Sequence, residues 1–197
     1  PPLPTADSGY EAAANAVPDG WISGRVGAGS GATAGKAAGR DRATSTGIGS
    51  ACVHTELGTL GALFVVNPFG DVVDPDTGRI LAGTRGDEPG TWADTEQVIL
   101  RGRSPNQGSG LNTVIGVVAV DGEMDRDALV RVAVAAHDGI ARAVRPAHTL
   151  FDGDVVFVLG RREGSPPDHA VLTWCTAAQR AVAEAIVRSV RRPDGKG

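Results

Sequence analysis

The chain has 197 residues, 41% of them hydrophobic and 21% charged, which is enough apolar material for one packed domain and too much for a disordered polypeptide. Lys and Arg number 19 against 23 Asp and Glu, a net charge of −4; only Arg188-Ser189-Val190-Arg191-Arg192 is locally basic, which excludes a nucleic-acid footprint. No apolar run nears the roughly 20 residues of a membrane helix, no secretory-leader pattern is seen at the start, and a cytoplasmic location is the expectation.

Cys52 and Cys175 lie far apart without paired Cys or His spacing, so they read as buried free thiols rather than a disulfide framework or a zinc site. No cofactor or metal is expected. Glycine is the unusual feature, with 28 in the chain and a cluster between Gly20 and Gly61, where small residues permit close backbone approach. The opening Pro1-Pro2-Leu3-Pro4 reads as the interior of a longer protein.

In chain order, Ser8 to Val17 predicts a short packed helix with Asp7 or Ser8 as N-cap and Glu11 near the capping-box position, stopped by Pro18-Asp19-Gly20. Gly24 to Gly35 reads as a glycine-rich strand and loop, and Lys36 to Thr46 as a polar, exposed connection. Gly47 to Thr55 and Thr59 to Asn67 predict an antiparallel hairpin. Turns follow at Asn67-Pro68-Phe69-Gly70 and Asp74-Pro75-Asp76-Thr77-Gly78. Gly83 to Gly110 reads as a surface excursion with one short helix near Asp94 to Leu100.

Thr113 to Val120, TVIGVVAV, predicts a strand buried on both faces, its first residue held at the rim of a core. Asp125 to Val144 predicts a helix capped by Asp125, with Leu129, Val132, Ala133, Ala136 and Ile140 on its apolar face. Asp154 to Leu159 predicts another core strand, and Asp168 to Val190 a closing helix. Two sheets with helices outside them give an α+β layered sandwich.

The stretch Gly110-Leu111-Asn112-Thr113-Val114-Ile115-Gly116-Val117-Val118-Ala119, together with ADSGYEAA (Ala6 to Ala13), GRVGAGSGATAGK (Gly24 to Lys36), GIGSA (Gly47 to Ala51), VVNPFGDVVDPDTG (Val65 to Gly78) and AAHDGIARAVRPAHTLFDGDVVF (Ala135 to Phe157), resembles the DmpA and nylon-oligomer hydrolase (NylC) family in block order. That family's precursors cleave themselves before a Ser or Thr that opens a buried strand. Two departures stand out. Family members carry a sizeable N-terminal portion ahead of the block matching ADSGYEAA, and the connection Ala37 to Thr46 is longer and more polar than a glycine-rich link.

The resemblance implies an α/β/β/α sandwich of the DmpA type with its N-terminal portion missing. It also implies self-cleavage between Asn112 and Thr113 into segments 1–112 and 113–197 of one structural domain, with Thr113 as N-terminal nucleophile and a homotetrameric assembly. Matching positions assign Lys36 a place beside the nucleophile, Asn67 hydrogen bonding at the reaction centre, and Asp152 and Asp154 the positioning of the nucleophile's amine. A threonine hydroxyl is a weak nucleophile without a base, and a freed α-amino group with an ordinary pKa near 8 supplies one. Lys36 can then lower the amine pKa or support an oxyanion. His148 and His137 read as structural, hydrogen-bonded histidines, and His54 and His169 offer no signal. The substrate class is a small or unusual amide: an aminopeptidase substrate, a β-peptide, a nylon oligomer or a pantetheine-type amide. The alternatives are an acyltransferase of the glutamate N-acetyltransferase type and a catalytically silent binding homologue.

Overall fold

A computed structural model describes residues 3–17, 23–102, 112–161 and 164–191. The first helix, α1 (Ala6–Ala14), begins earlier than Ser8 because Thr5 caps it. The Thr5 hydroxyl accepts from the Ser8 amide and the Ser8 hydroxyl accepts from the Thr5 amide, a reciprocal box that leaves Glu11 no part in the cap. Asn15 closes the helix by donating from Nδ2 to the Glu11 carbonyl. Its side chains are exposed rather than packed, and the expected stop at Pro18-Asp19-Gly20 lies outside the described residues.

After a 3-10 turn at Gly27–Gly29, β1 (Thr33–Ala34) pairs antiparallel with β2 (Thr44–Ser45). The polar connection between them is not wholly exposed: Lys36, Ala37 and Thr46 are buried, while its middle, the 3-10 turn Arg40–Arg42, stays at the surface. Gly35 makes this burial possible. At φ +73° it passes so close to the neighbouring segment that a Cβ there would stand 1.8 Å from the Thr84 amide nitrogen, a position no other residue type can hold.

The hairpin is present as β3 (Ile48–Thr55) and β4 (Gly58–Asn67), paired antiparallel. Next come β5 (Asp71–Val73), β6 (Ile80–Ala82) and α2 (Thr95–Leu100), the last capped by the Asp94 carboxylate accepting from the Gln97 amide. Residues 103–111 of the expected surface excursion lie outside the described residues. β7 (Thr113–Glu123), α3 (Arg126–Ala143), β8 (Val144–Arg145), β9 (Val155–Arg161) and α4 (Asp168–Arg188) complete the order. Asp125 caps α3 as its position predicts, accepting from the Ala128 amide at 2.8 Å.

The main sheet runs β3-β4-β7-β9; β6-β5-β8 form a smaller one. α4 lies against β3 and β4, and α3 against α4 and β9. Between helices and sheet sit Leu60, Phe64, Val66, Val114, Val118, Val132, Ile140, Val182 and Ile186, each such burial stabilising the fold by about 1.5–3 kcal/mol. Gly49 lets α4 come close, since a Cβ there would meet the Ala185 carbonyl at 2.1 Å.

The strands depart from the sequence expectation in one respect. β7 alternates instead of burying both faces, and β9 has no fully buried residue. The face away from the helices presents Ile115 and Val155 at 40% exposure each, Phe157 at 57% and Leu159 at 60%. Helices α3 and α4 thus lie on one side of the main sheet, and its opposite, apolar face is exposed among the described residues. Cys52 is exposed and Cys175 half-buried, so neither is the buried thiol expected: Cys52 falls on the outward side of β3 by strand alternation.

Candidate active site

Strand direction gathers the site. Because β4 and β7 are antiparallel, the last residue of β4, Asn67, stands opposite the first of β7, Thr113. Because β7 and β9 are parallel, the segment leading into β9 lies beside the segment leading into β7, and Asn112 bridges Asp152. Asn67, Asn112, Thr113, Asp152 and Asp154 therefore share one end of the sheet despite their separation in sequence.

Lys36 reaches the same end from the β1–β2 connection. It is 8% exposed, and its ammonium donates to the Asn67 carbonyl at 3.0 Å, to Asn67 Oδ1 at 2.8 Å and to the Pro68 carbonyl at 2.9 Å. Asn67 Oδ1 also accepts from the Thr33 amide at 3.1 Å. The lysine thus clamps the end of β4 instead of floating in a surface loop. Burial pulls its pKa down from 10.5 to about 8, helped by the Arg40 charge and opposed by attraction to Asp152.

This shift has a measurable consequence. The folded pKa lies below the unfolded value, so between about 8 and 10.5 the unfolded chain binds more protons, and this lysine's contribution to stability rises with pH across that window. Urea midpoints of the parent and Lys36→Met should diverge in that direction from pH 8 upward and run parallel below it. Parallel curves throughout would show the ammonium to be solvated.

The two aspartates have different surroundings. Asp152 accepts from the Phe69 amide at 2.9 Å through Oδ1 and from the Thr149 amide at 3.1 Å through Oδ2, with the Thr149 hydroxyl on the same oxygen. It ties the turn after β4 to the loop before β9, a joint reinforced by the Phe69 and Phe151 rings at 5.1 Å. Asp154, with its side chain 5% exposed, accepts from the Val114 amide at 2.7 Å through Oδ1 and faces His148 Nδ1 at 2.7 Å through Oδ2.

Between the aspartates, the backbone of Gly153 brackets the Asn112–Thr113 peptide. Its amide donates to the Asn112 carbonyl oxygen at 2.9 Å and its carbonyl accepts from Thr113 Oγ1 at 2.6 Å. A Cβ on Gly153 would lie 3.9 Å from both the Asn112 oxygen and Thr113 Oγ1, so the absence of a side chain keeps the approach open. This bracket was not legible in the sequence; His148, read there as a structural, hydrogen-bonded histidine, has Asp154 as its partner. The His137 ring packs against the His148 ring at a tilt of 55° with centroids 5.0 Å apart, and burial lowers its pKa, with His148 adding to the effect. His54 instead meets Thr59 on the hairpin.

Among the described residues no helix is long and apolar enough to cross a membrane, and no group of three or more His, Cys, Asp or Glu side chains could hold a metal ion.

The architecture resembles solved structures over 91% of this chain: a Pyrococcus horikoshii protein with 26% identity and a TM-score of 0.62, and the L-aminopeptidase D-Ala-esterase/amidase of Ochrobactrum anthropi with 22% identity and a TM-score of 0.63, described as a variant of the Ntn-hydrolase fold. In each case the match covers 47% of the other chain. The fold is therefore of the Ntn-hydrolase class.

Residues 4–194 match the model of peptidase family S58, and the chain belongs to that family. An uncharacterized aminopeptidase of Mycobacterium tuberculosis is 38% identical over 95% of this chain and 56% of its own length. The 6-aminohexanoate-oligomer endohydrolase of Paenarthrobacter ureafaciens is 33% identical over 73% of this chain and 41% of its own. The chain spans about half the length of these curated relatives.

Proposed function

We propose that this chain is part of a self-cleaving amide hydrolase whose nucleophile is Thr113, exposed as an N-terminus by opening the Asn112–Thr113 peptide. The observation that carries this reading is the Gly153 bracket, in which the N–H and the carbonyl of one residue hold both the carbonyl to be attacked and the attacking hydroxyl. The Thr113 oxygen attacks the Asn112 carbonyl carbon, and the negative charge that develops on the Asn112 oxygen faces the Gly153 N–H. The carbon–nitrogen bond breaks, the threonine nitrogen takes up the hydroxyl proton, and the acyl group now sits on oxygen. Water hydrolyses that ester, leaving an Asn112 carboxylate and a Thr113 with free amine and free hydroxyl.

The freed amine then serves as base. It accepts the hydroxyl proton as Thr113 attacks a substrate amide, passes a proton to the departing amine, and activates the water that clears the acyl-enzyme. In this reading Lys36 clamps Asn67 at the strand end opposite Thr113 and supplies positive charge, while Asp154 grips the amide of the next residue and Asp152 fixes the adjoining turns. Segments 1–112 and 113–197 become two chains of one folded unit. The relatives' names, aminopeptidase and oligomer endohydrolase, support a small amide or short oligomer as substrate.

Intact-mass analysis of the protein after prolonged incubation tests the reading. Two species are expected, one beginning at Thr113. A chain that stays whole, or a cut at another bond, would sink it.

A further inference from the structure

His148 is one of two residues other than glycine with positive φ among the described residues, at +52°. A left-handed backbone at a residue bearing a Cβ persists where its surroundings hold it. Here the ring is held on two sides. Nδ1 lies 2.7 Å from Asp154 Oδ2, and Nε2 lies 3.4 Å from the His137 carbonyl on α3.

The Asp154 carboxylate is nearly removed from water, so each of its oxygens needs a partner. The Val114 amide takes one and the His148 ring the other. Asp154 is bonded directly to Gly153, whose peptide touches both the Asn112 carbonyl and the Thr113 hydroxyl. Whatever anchors Asp154 therefore sets where the Gly153 peptide sits.

We propose that His148 is a positioning residue for the Asn112–Thr113 site: its ring donates to Asp154 and so holds the Asp154–Gly153 segment against the start of β7. The inference rests on the self-cleavage reading and extends it to a side chain that touches neither Asn112 nor Thr113. The left-handed backbone at His148 aims the ring back across the loop at Asp154, and the His137 ring packs against it.

Three variants separate the ring's donor from the backbone it sits on. His148→Gly relieves the backbone and removes the donor. His148→Asn tolerates positive φ and keeps an N–H donor close to the position of Nδ1. His148→Ala loses both. The rate at which the chain beginning at Thr113 appears is followed by intact mass in the full-length protein, with thermal unfolding as the check on folding.

His148→Gly should cleave at least about tenfold more slowly with its unfolding transition retained, because a small displacement of a reacting group costs rate steeply. His148→Asn should recover most of that loss, and His148→Ala should be slow and less stable. Wild-type cleavage in His148→Gly would overturn the proposal, as would equal slowness of the Gly and Asn variants with both folded. An uncut parent protein would instead overturn the self-cleavage reading on which it stands, so the two failures are distinct.

Discussion

Thr113→Ala should leave the peptide after Asn112 uncut and should abolish amide hydrolysis, a fall of roughly three orders of magnitude or more. The substitution removes the oxygen that carries the acyl group in the proposed mechanism, in which the amine base forms only on cleavage. The cost to folding should be small. Thr113 is half-buried and its hydroxyl makes one hydrogen bond, to the Gly153 carbonyl, a contact with a net contribution of about 1 kcal/mol.

Thr113→Ser keeps the oxygen and should keep both cleavage and turnover. Time-resolved intact mass and release of product from a short peptide amide would read the two steps separately. A Thr113→Ala protein that still divides after Asn112 would place the nucleophile elsewhere. Division without hydrolysis in the parent would confine Thr113 to maturation.

The second large effect concerns folding. Asp71, at the start of β5, is completely buried, and its carboxylate accepts from the Thr84 amide at 2.9 Å, the Thr95 amide at 2.7 Å and the Thr95 hydroxyl at 2.6 Å. It joins the small sheet to the first turn of α2. Asp71→Ala should destabilise the fold by about 3–5 kcal/mol, because several buried donors lose their acceptor together.

Asp71→Asn keeps the volume but turns one acceptor into a donor facing these N–H and O–H groups, so it should also be destabilising, by about 1–3 kcal/mol. Urea midpoints at constant m-value would measure both. Burial raises the Asp71 pKa above its ordinary 3.8. Its contribution to stability is therefore present in full below 3.8 and declines as pH rises through the raised value. The gap between parent and Asp71→Ala should narrow in that direction, and a gap that widened with pH would contradict the burial argument.

Local chemistry made much of this architecture legible from the residues alone. The cap at Asp125, the hairpin from Ile48 to Asn67 and the extents of α3 and α4 rest on hydrogen bonds and periodicities within a few residues, which the sequence determines directly. The resemblance in block order, rather than local chemistry, singled out Lys36, Asn67, Thr113, Asp152 and Asp154; strand pairing brings the segments of the last four to one end of the main sheet, and Lys36 reaches Asn67 from the β1–β2 connection. Where tertiary packing competes with local signal, the sequence misled: the alanines of α1 are exposed, the apolar run of β7 is covered on one face, and Cys52 points outward.

What only the tertiary structure decided is how the site residues are held. The burial of Lys36 depends on Gly35 passing Thr84, the carboxylate of Asp152 is taken by the amides of Phe69 and Thr149, and His148 turns back onto Asp154. The Gly153 peptide carries no side chain to announce it. Its importance comes from the parallel register of β7 and β9, which sets one strand's lead-in beside the other's. The Gly153 carbonyl on Thr113 and the Phe69 amide on Asp152 join positions 40 and 83 residues apart through backbone atoms common to every residue. The chain's local preferences are silent about them, and they exist only once the strands have paired.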